Sequence, residues 1–202
     1  EVGFVNRRDY RQANARVLRH IRMEDVSWFR EFRPHISWNQ FWSLDGFSES
    51  YLVHFDNHFQ FENGAFFQLP GFNLTGEGLE EPFEIREGIV IPAGSYNNMD
   101  WEFRANTNRS NPLSFSGGWS LGGFYSGTRR QLSLDVTLRA RPGVIIYASA
   151  ELNSVDLPET KFTAQVFRLT PEVAAGPWVS LVNTFQYDSV SRVLGWQSRF
   201  RW

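Results

Sequence analysis

The feature that most constrains this chain is a two-residue rhythm of apolar and polar side chains. From Gln131 to Arg141, Leu132, Leu134, Val136, Leu138 and Ala140 fall on one face, while Ser133, Asp135, Thr137, Arg139 and Arg141 fall on the other. A β-strand points successive side chains to opposite faces, so this rhythm specifies a strand with one apolar and one polar face. Arg141-Pro142-Gly143 reads as a turn, because proline presets φ and glycine accepts positive φ. The next segment repeats the pattern, with Val144, Ile146, Ala148, Ala150 and Leu152 set against Ile145, Tyr147, Ser149, Glu151 and Asn153. The last does so again, with Leu194, Trp196, Ser198, Phe200 and Trp202 opposite Gly195, Gln197, Arg199 and Arg201. Helical periodicity is almost absent.

Extended along the chain, the rhythm predicts eleven strands, at 11–22, 27–44, 47–61, 65–74, 96–108, 112–125, 130–141, 143–154, 160–170, 174–187 and 193–202. Asp45-Gly46, Asn63-Gly64, Asn111-Pro112, Ser126-Gly127 and Thr170-Pro171 supply hairpin signals between them. Segments this long match the ~9–11 residues that a tilted strand needs to cross a bilayer, against ~5–6 in an ordinary globular sheet. Loop lengths are expected to be asymmetric. The turns at Asn63-Gly64, Asn111-Pro112, Arg141–Gly143 and Thr170–Glu172 share one rim and are short. Leu74–Ser95, Asn153–Glu159 and Tyr187–Arg192 share the other and are longer, which reads as the extracellular side. Aromatic residues placed near predicted strand ends, among them Trp28, Trp42, Phe47, Phe61, Phe67, Trp101, Trp119, Tyr125, Trp178, Tyr187, Trp196 and Trp202, would form two girdles at headgroup level.

Composition is consistent with that reading. A mean hydropathy of −0.38 is no objection, because a barrel strand hides its hydrophobicity in alternate residues. No run of ~20 apolar residues offers a transmembrane helix. Of the 20 basic residues only Lys161 is a lysine, and arginine forks suit a crowded polar interior. A net charge of −2 argues against the concentrated basic face that nucleic acid requires. The absence of cysteine excludes disulfides and thiolate chemistry. The expected fold class is therefore all-β, an antiparallel up-and-down transmembrane β-barrel of which about eleven strands are present. No signal peptide precedes Glu1 and an odd strand number does not close a bacterial barrel. Residues 1–202 are thus expected to be a single partial barrel domain, truncated at both ends.

Several short patterns resemble a known family along the whole chain. They are Glu1-Val2-Gly3-Phe4 with Arg7-Arg8-Asp9-Tyr10, Glu81-Pro82-Phe83-Glu84-Ile85, Val90-Ile91-Pro92-Ala93-Gly94 with Tyr96, Phe124-Tyr125-Ser126-Gly127-Thr128-Arg129-Arg130, Asp156-Leu157-Pro158 and Gln186-Tyr187-Asp188-Ser189-Val190-Ser191. Together they look like the C-terminal barrel domain of domain-of-unknown-function family 5916. The resemblance implies a Gram-negative outer-membrane barrel preceded by a family-9-like carbohydrate-binding module that this chain does not contain. It supplies no catalytic residues to carry over.

Candidate chemistry is sparse. His54, Asp56 and His58 share one face of the third predicted strand in an H-x-D-x-H spacing. Same-face neighbours are about 7 Å apart and the outer two about twice that. Three ligands on one flat strand are not expected to converge on a tetrahedral ion, so no metal, cofactor or catalytic residue is assigned. The acidic stretch Glu77, Glu80, Glu81, Glu84 and Glu87 lacks the alternating ligands of a calcium loop and reads as a solvated loop. Carboxylates for glycoside hydrolysis could be drawn from Asp100, Glu102, Asp135 and Glu151, but spacing in sequence does not set their separation. Asp100, Arg104, Asp135, Arg139, Glu151, Arg199 and Arg201 are the candidate lumen-lining residues.

Two functions compete. In one, an outer-membrane barrel meets lipid and anchors, displays or passes substrate to an upstream carbohydrate-binding module, with no catalysis of its own. In the other, the chain is a soluble β-rich glycan-binding domain or part of a glycan-active hydrolase. A soluble barrel turns its apolar side chains inward, so the direction of Leu134, Val136, Leu138, Ile146 and Trp196 separates the two.

Overall fold

A computed structural model describes residues 9–158 and 160–202. The Glu1–Phe4 and Arg7-Arg8 patterns, and Glu159 in one predicted loop, lie outside the described residues. Within them the chain forms strands and no helix. In order these are β1 (Tyr10–Leu18), β2 (Ile21–Arg22), β3 (Phe29–Ser43), β4 (Ser48–Phe61), β5 (Phe66–Leu79), β6 (Phe83–Arg86) and β7 (Ile89–Ile91). There follow β8 (Gly94–Asn106), β9 (Leu113–Phe124), β10 (Gly127–Arg141), β11 (Val144–Asp156), β12 (Lys161–Ala175), β13 (Val179–Asp188) and β14 (Val193–Arg201). The eleven long strands pair antiparallel in the order β1-β3-β4-β5-β8-β9-β10-β11-β12-β13-β14, with β2 on β3 and β6–β7 a separate hairpin. This is an up-and-down meander. Among the described residues it is open, since β1 and β14 each pair with one neighbour.

Glycine supplies the tight turns where the sequence placed them. Gly46, Gly64 and Gly143 all adopt positive φ, which a side chain would resist. Two expected boundaries move. Thr170-Pro171 is not a turn, because β12 runs through it to Ala175 and the turn falls at Gly176. Proline has no N–H to give, and the β12–β13 ladder is correspondingly interrupted between Leu169 and Glu172. Leu74–Ser95 is not one loop either. β5 continues to Leu79 and β8 begins at Gly94, leaving 80–93 to carry the small hairpin. The expected loop asymmetry shrinks accordingly. The rim bearing Asn63 has connections at 19–28 and 107–112, while the rim bearing Asp45 has only 80–93 of comparable length.

Register turns the alternation into faces. Directly opposed residues share a face, and one row reads Val17, Ile36, Phe55, Phe72, Trp101, Leu121 from β1 to β9. Another reads Ala105, Gly117, Leu134, Ala150, Phe167, Tyr187 from β8 to β13. This face is the exposed one. Leu134 is 50 % and Trp196 is 69 % exposed, and Leu132, Leu138, Phe115, Leu169 and Phe185 are exposed with them. Val136 and Ile146 lie on the same face by register. Toward the Asp45 rim the apolar band gives way to a row of Gln40, Tyr51, Gly76 and Asn97. There the Tyr51 ring lies across the bare backbone of Gly76, where a Cβ would sit 2.1 Å from the ring. That lets the phenol donate to Asn97 Oδ1 at 2.9 Å.

The aromatics follow the girdle expectation only in part. Trp28 stacks on Phe61 at the Asn63 rim, and Trp178 and Trp202 lie at that rim too. Trp42, Phe47, Tyr125 and Tyr187 lie toward the other. Trp101 and Trp119, in contrast, sit mid-strand against Phe72 and Phe103. A strand's extent is set by its pairing, and β8 and β9 are framed so that these two indoles fall inside the band.

Candidate functional site

The opposite face of the sheet is polar, and it is where the buried polar residues lie. Glu31, His35, Asp56, Gln68, Asn73, Ser114 and Ser180 are all buried on it. One cavity of about 700 Å³ is lined from β3 through β10, so the sheet curls around this face. The molecule is thus amphipathic in the reverse sense to a soluble sandwich, with polar groups within the curve and apolar groups outside.

The polar wall is a connected network. Asp100 of β8 accepts from Asn73 Nδ2 at 2.7 Å, and Asn73 Oδ1 lies 2.6 Å from His54 Nδ1. Since a carboxylate can only accept, the Asn73 amide nitrogen must face Asp100, and its oxygen must face His54. His54 Nδ1 therefore carries a proton and donates. On the other side of the ring, Nε2 is 3.3 Å from Asp56 Oδ2, and His58 Nε2 is 3.0 Å from the same oxygen. Asp56 is 0 % exposed. His35, its partner across the β3–β4 pair, packs its ring 5.1 Å from that of His54 and 4.8 Å from that of His58.

The geometry adds a residue that the H-x-D-x-H pattern does not contain. His54 and His58 do lean together onto Asp56, because the imidazole arms are long enough to reach the same carboxylate oxygen from either side along β4. The third member of the tightest trio comes from the neighbouring strand. One ligand atom from each of His35, Asp56 and His58 lies within 4.8 Å of the others. Nothing in the sequence near Pro34-His35-Ile36 signals this, since only the β3–β4 register sets His35 opposite Asp56.

The candidate lumen-lining residues all fall on the polar face, but they do not form one site. Asp100 joins the Asn73 relay, and Arg104 pairs with Glu102 in the cavity wall. Asp135 lines the same cavity and accepts from Ser116 at 3.3 Å. Arg139 turns to the Asn63 rim and donates to the Asn111 carbonyl. Glu151 accepts from Gln131 and Asn153. Arg199 and Arg201 stand exposed on β14, four strands from the β10 edge of the cavity. The carboxylates Asp100, Glu102, Asp135 and Glu151 are each engaged by a different partner.

Near the Asp45 rim the inner face changes character. The β6–β7 hairpin folds against it, and Ile91, Val155 and Leu157 make a small buried core with Leu79, Ile85, Ile89, Tyr96, Phe124, Tyr125 and Phe162 around them. Arg86 lies over the Phe162 ring at 5.5 Å, and burial raises the Tyr125 phenol above its ordinary range. The segment 80–93 is therefore a packed cap whose glutamates Glu80, Glu81, Glu84 and Glu87 face solvent, not a free loop. The short patterns around Ile85, Ile91, Tyr96, Phe124 and Leu157 converge here in space. Glu77 belongs to β5 instead.

Compared with protein-family models, with curated proteins and with solved structures, the chain matches none.

Proposed function

We propose that this chain is the wall of an outer-membrane β-barrel of a Gram-negative bacterium, its outer face in lipid and its polar face lining a lumen. The observation that carries the reading is the reversed amphipathicity. A continuous apolar band is exposed on the outside of the curve, while the buried side chains of the inner face are polar except beneath the 80–93 cap. Leu134, Leu138 and Trp196 point away from the cavity, the opposite of what a soluble glycan-binding barrel requires. On β10 the band runs from Leu132 to Ala140, about 26 Å along the strand at ~3.3 Å per residue, or roughly 20 Å of height at a tilt of ~40°, against the ~25 Å apolar belt of such barrels. The long strands, up to 15 residues in β3, β10 and β12, have the reach to cross a bilayer at a tilt. On this reading 80–93 caps one mouth of the lumen, and the barrel anchors or displays an upstream carbohydrate-binding module or passes substrate to it. The module and its ligand are supported by the family resemblance alone, and no catalytic step is assigned to this chain.

Vesicle flotation tests the reading. Protein refolded with phospholipid vesicles should rise with them in a density gradient and stay bound through alkaline carbonate and urea washes. Protein left in the dense fraction, or stripped by the washes, would overturn it.

A further inference from the structure

The cluster around Asp56 contains buried polar atoms with nothing to hold. Among the described residues, His35 Nδ1 and Asp56 Oδ1 are buried without a hydrogen-bond partner. Their residues are 7 % and 0 % exposed and face each other across the β3–β4 pair. Buried polar atoms are rarely left in this state, because each has given up water for nothing. The second observation concerns His54. Its Nδ1–H is already committed to Asn73 Oδ1, which leaves Nε2, 3.3 Å from Asp56 Oδ2, as the ring nitrogen that can give up a proton to a metal ion. A histidine whose far nitrogen donates to an oxygen, itself tied to a carboxylate, has the arrangement that orients metal-binding imidazoles.

We infer that His35, His54, Asp56 and His58 bind a divalent first-row transition ion of the zinc type, pinning β3 to β4 on the polar face. Three imidazoles and one carboxylate, with no thiolate in the chain, suit Zn²⁺, Co²⁺, Ni²⁺ or Cu²⁺ rather than Ca²⁺ or Mg²⁺, which take oxygen. The fit is close. Ligand atoms around tetrahedral zinc stand about 3.3 Å apart at bonds of ~2.0 Å, so the tightest trio, within 4.8 Å, has to contract by at most about 1.5 Å. Side-chain rotations cover that distance. The cavity beside the cluster gives an ion a way in. The inference does not depend on lipid outside the sheet, since it uses only the β3–β4–β5 register and the polar face.

Cobalt is the probe. Titrated into the folded protein, Co²⁺ should bind with one-to-one stoichiometry and develop the visible absorption of a site with nitrogen ligands. The His35→Gln, His58→Gln double variant should weaken binding by on the order of 100-fold or more, and Asn73→Ala, which frees His54, by about 10–100-fold. His20→Asn, which removes the one histidine outside the cluster, should change nothing. Absence of saturable binding, or equal loss in the His20 variant, would overturn the inference. If the double variant does not fold, X-ray absorption at the zinc edge of the wild-type protein decides. It should show imidazole scattering, and a shell of oxygen alone would refute the site.

Discussion

Replacing Val136 with arginine puts a guanidinium on the outer face of β10, between Phe115 of β9 and Ala148 of β11. The apolar run on this strand spans Leu132 to Ala140, and Val136 is its midpoint, about 13 Å along the strand from either end at ~3.3 Å per residue. If that face lies in lipid, the charge is near the bilayer centre, where arginine on a barrel wall costs about 2–4 kcal/mol. At 1.36 kcal/mol per decade this is roughly a 30- to 900-fold change in the folding equilibrium. The neighbouring Thr137→Arg change puts the same charge on the polar face, beside Ser114 and Tyr147. Water can solvate it there, and the cost should stay within about 0.5 kcal/mol, as for most surface changes. The assay is urea unfolding of the vesicle-reconstituted proteins, followed by tryptophan fluorescence. Equal penalties at the two positions, or a larger one at Thr137, would refute the assignment of faces.

Ile91→Ala, at the fully buried centre of the cap, should cost about 2–5 kcal/mol locally, read as faster proteolytic cleavage after Arg86. Gly76→Ala should destabilise by about 1–3 kcal/mol, because the new Cβ collides with the Tyr51 ring. In a Tyr51→Ala background the same change should be nearly free, so a double-mutant cycle from unfolding midpoints checks the contact. Asp45, in the β3–β4 turn, is held below the usual carboxylate range by the Ser43 hydroxyl that donates to it. A depressed folded-state value means the contribution is present above the ordinary pKa of ~3.9 and disappears as pH falls through the lower folded value. Asp45→Asn should therefore flatten the acid limb of the stability profile below about pH 4 and leave the neutral region's slope unchanged.

What the sequence makes legible is whatever a period of two can encode. The faces of β10, β11 and β14 follow from alternation alone, and the glycine turns at Gly46, Gly64 and Gly143 from backbone sterics. Strand partners and ends are less local. Pro171 reads as a stop because it lacks an N–H, yet β12 continues, its pairing with β11 intact at Ile146 while the β13 ladder is interrupted. The hairpin at 83–91 is too short to alternate, and it is held by Val155, Leu157 and Phe162, which lie more than sixty residues away. The cluster around Asp56 is legible only by half. His54, Asp56 and His58 announce themselves by spacing, but His35 joins them through register, a property of two strands at once.

A site-directed nitroxide scan tests the central claim most directly. The chain has no cysteine, so single cysteines can be placed and labelled at each position from 131 to 138, with the protein in phospholipid vesicles. Collision rates are then measured with oxygen, which concentrates in lipid, and with a water-soluble nickel chelate. The account predicts strict alternation in opposite phase, with oxygen highest at 132, 134, 136 and 138 and nickel highest at 131, 133, 135 and 137. Low oxygen accessibility at Leu134 and Val136, with the nickel chelate reaching neither or both faces alike, would contradict a lipid-facing apolar band.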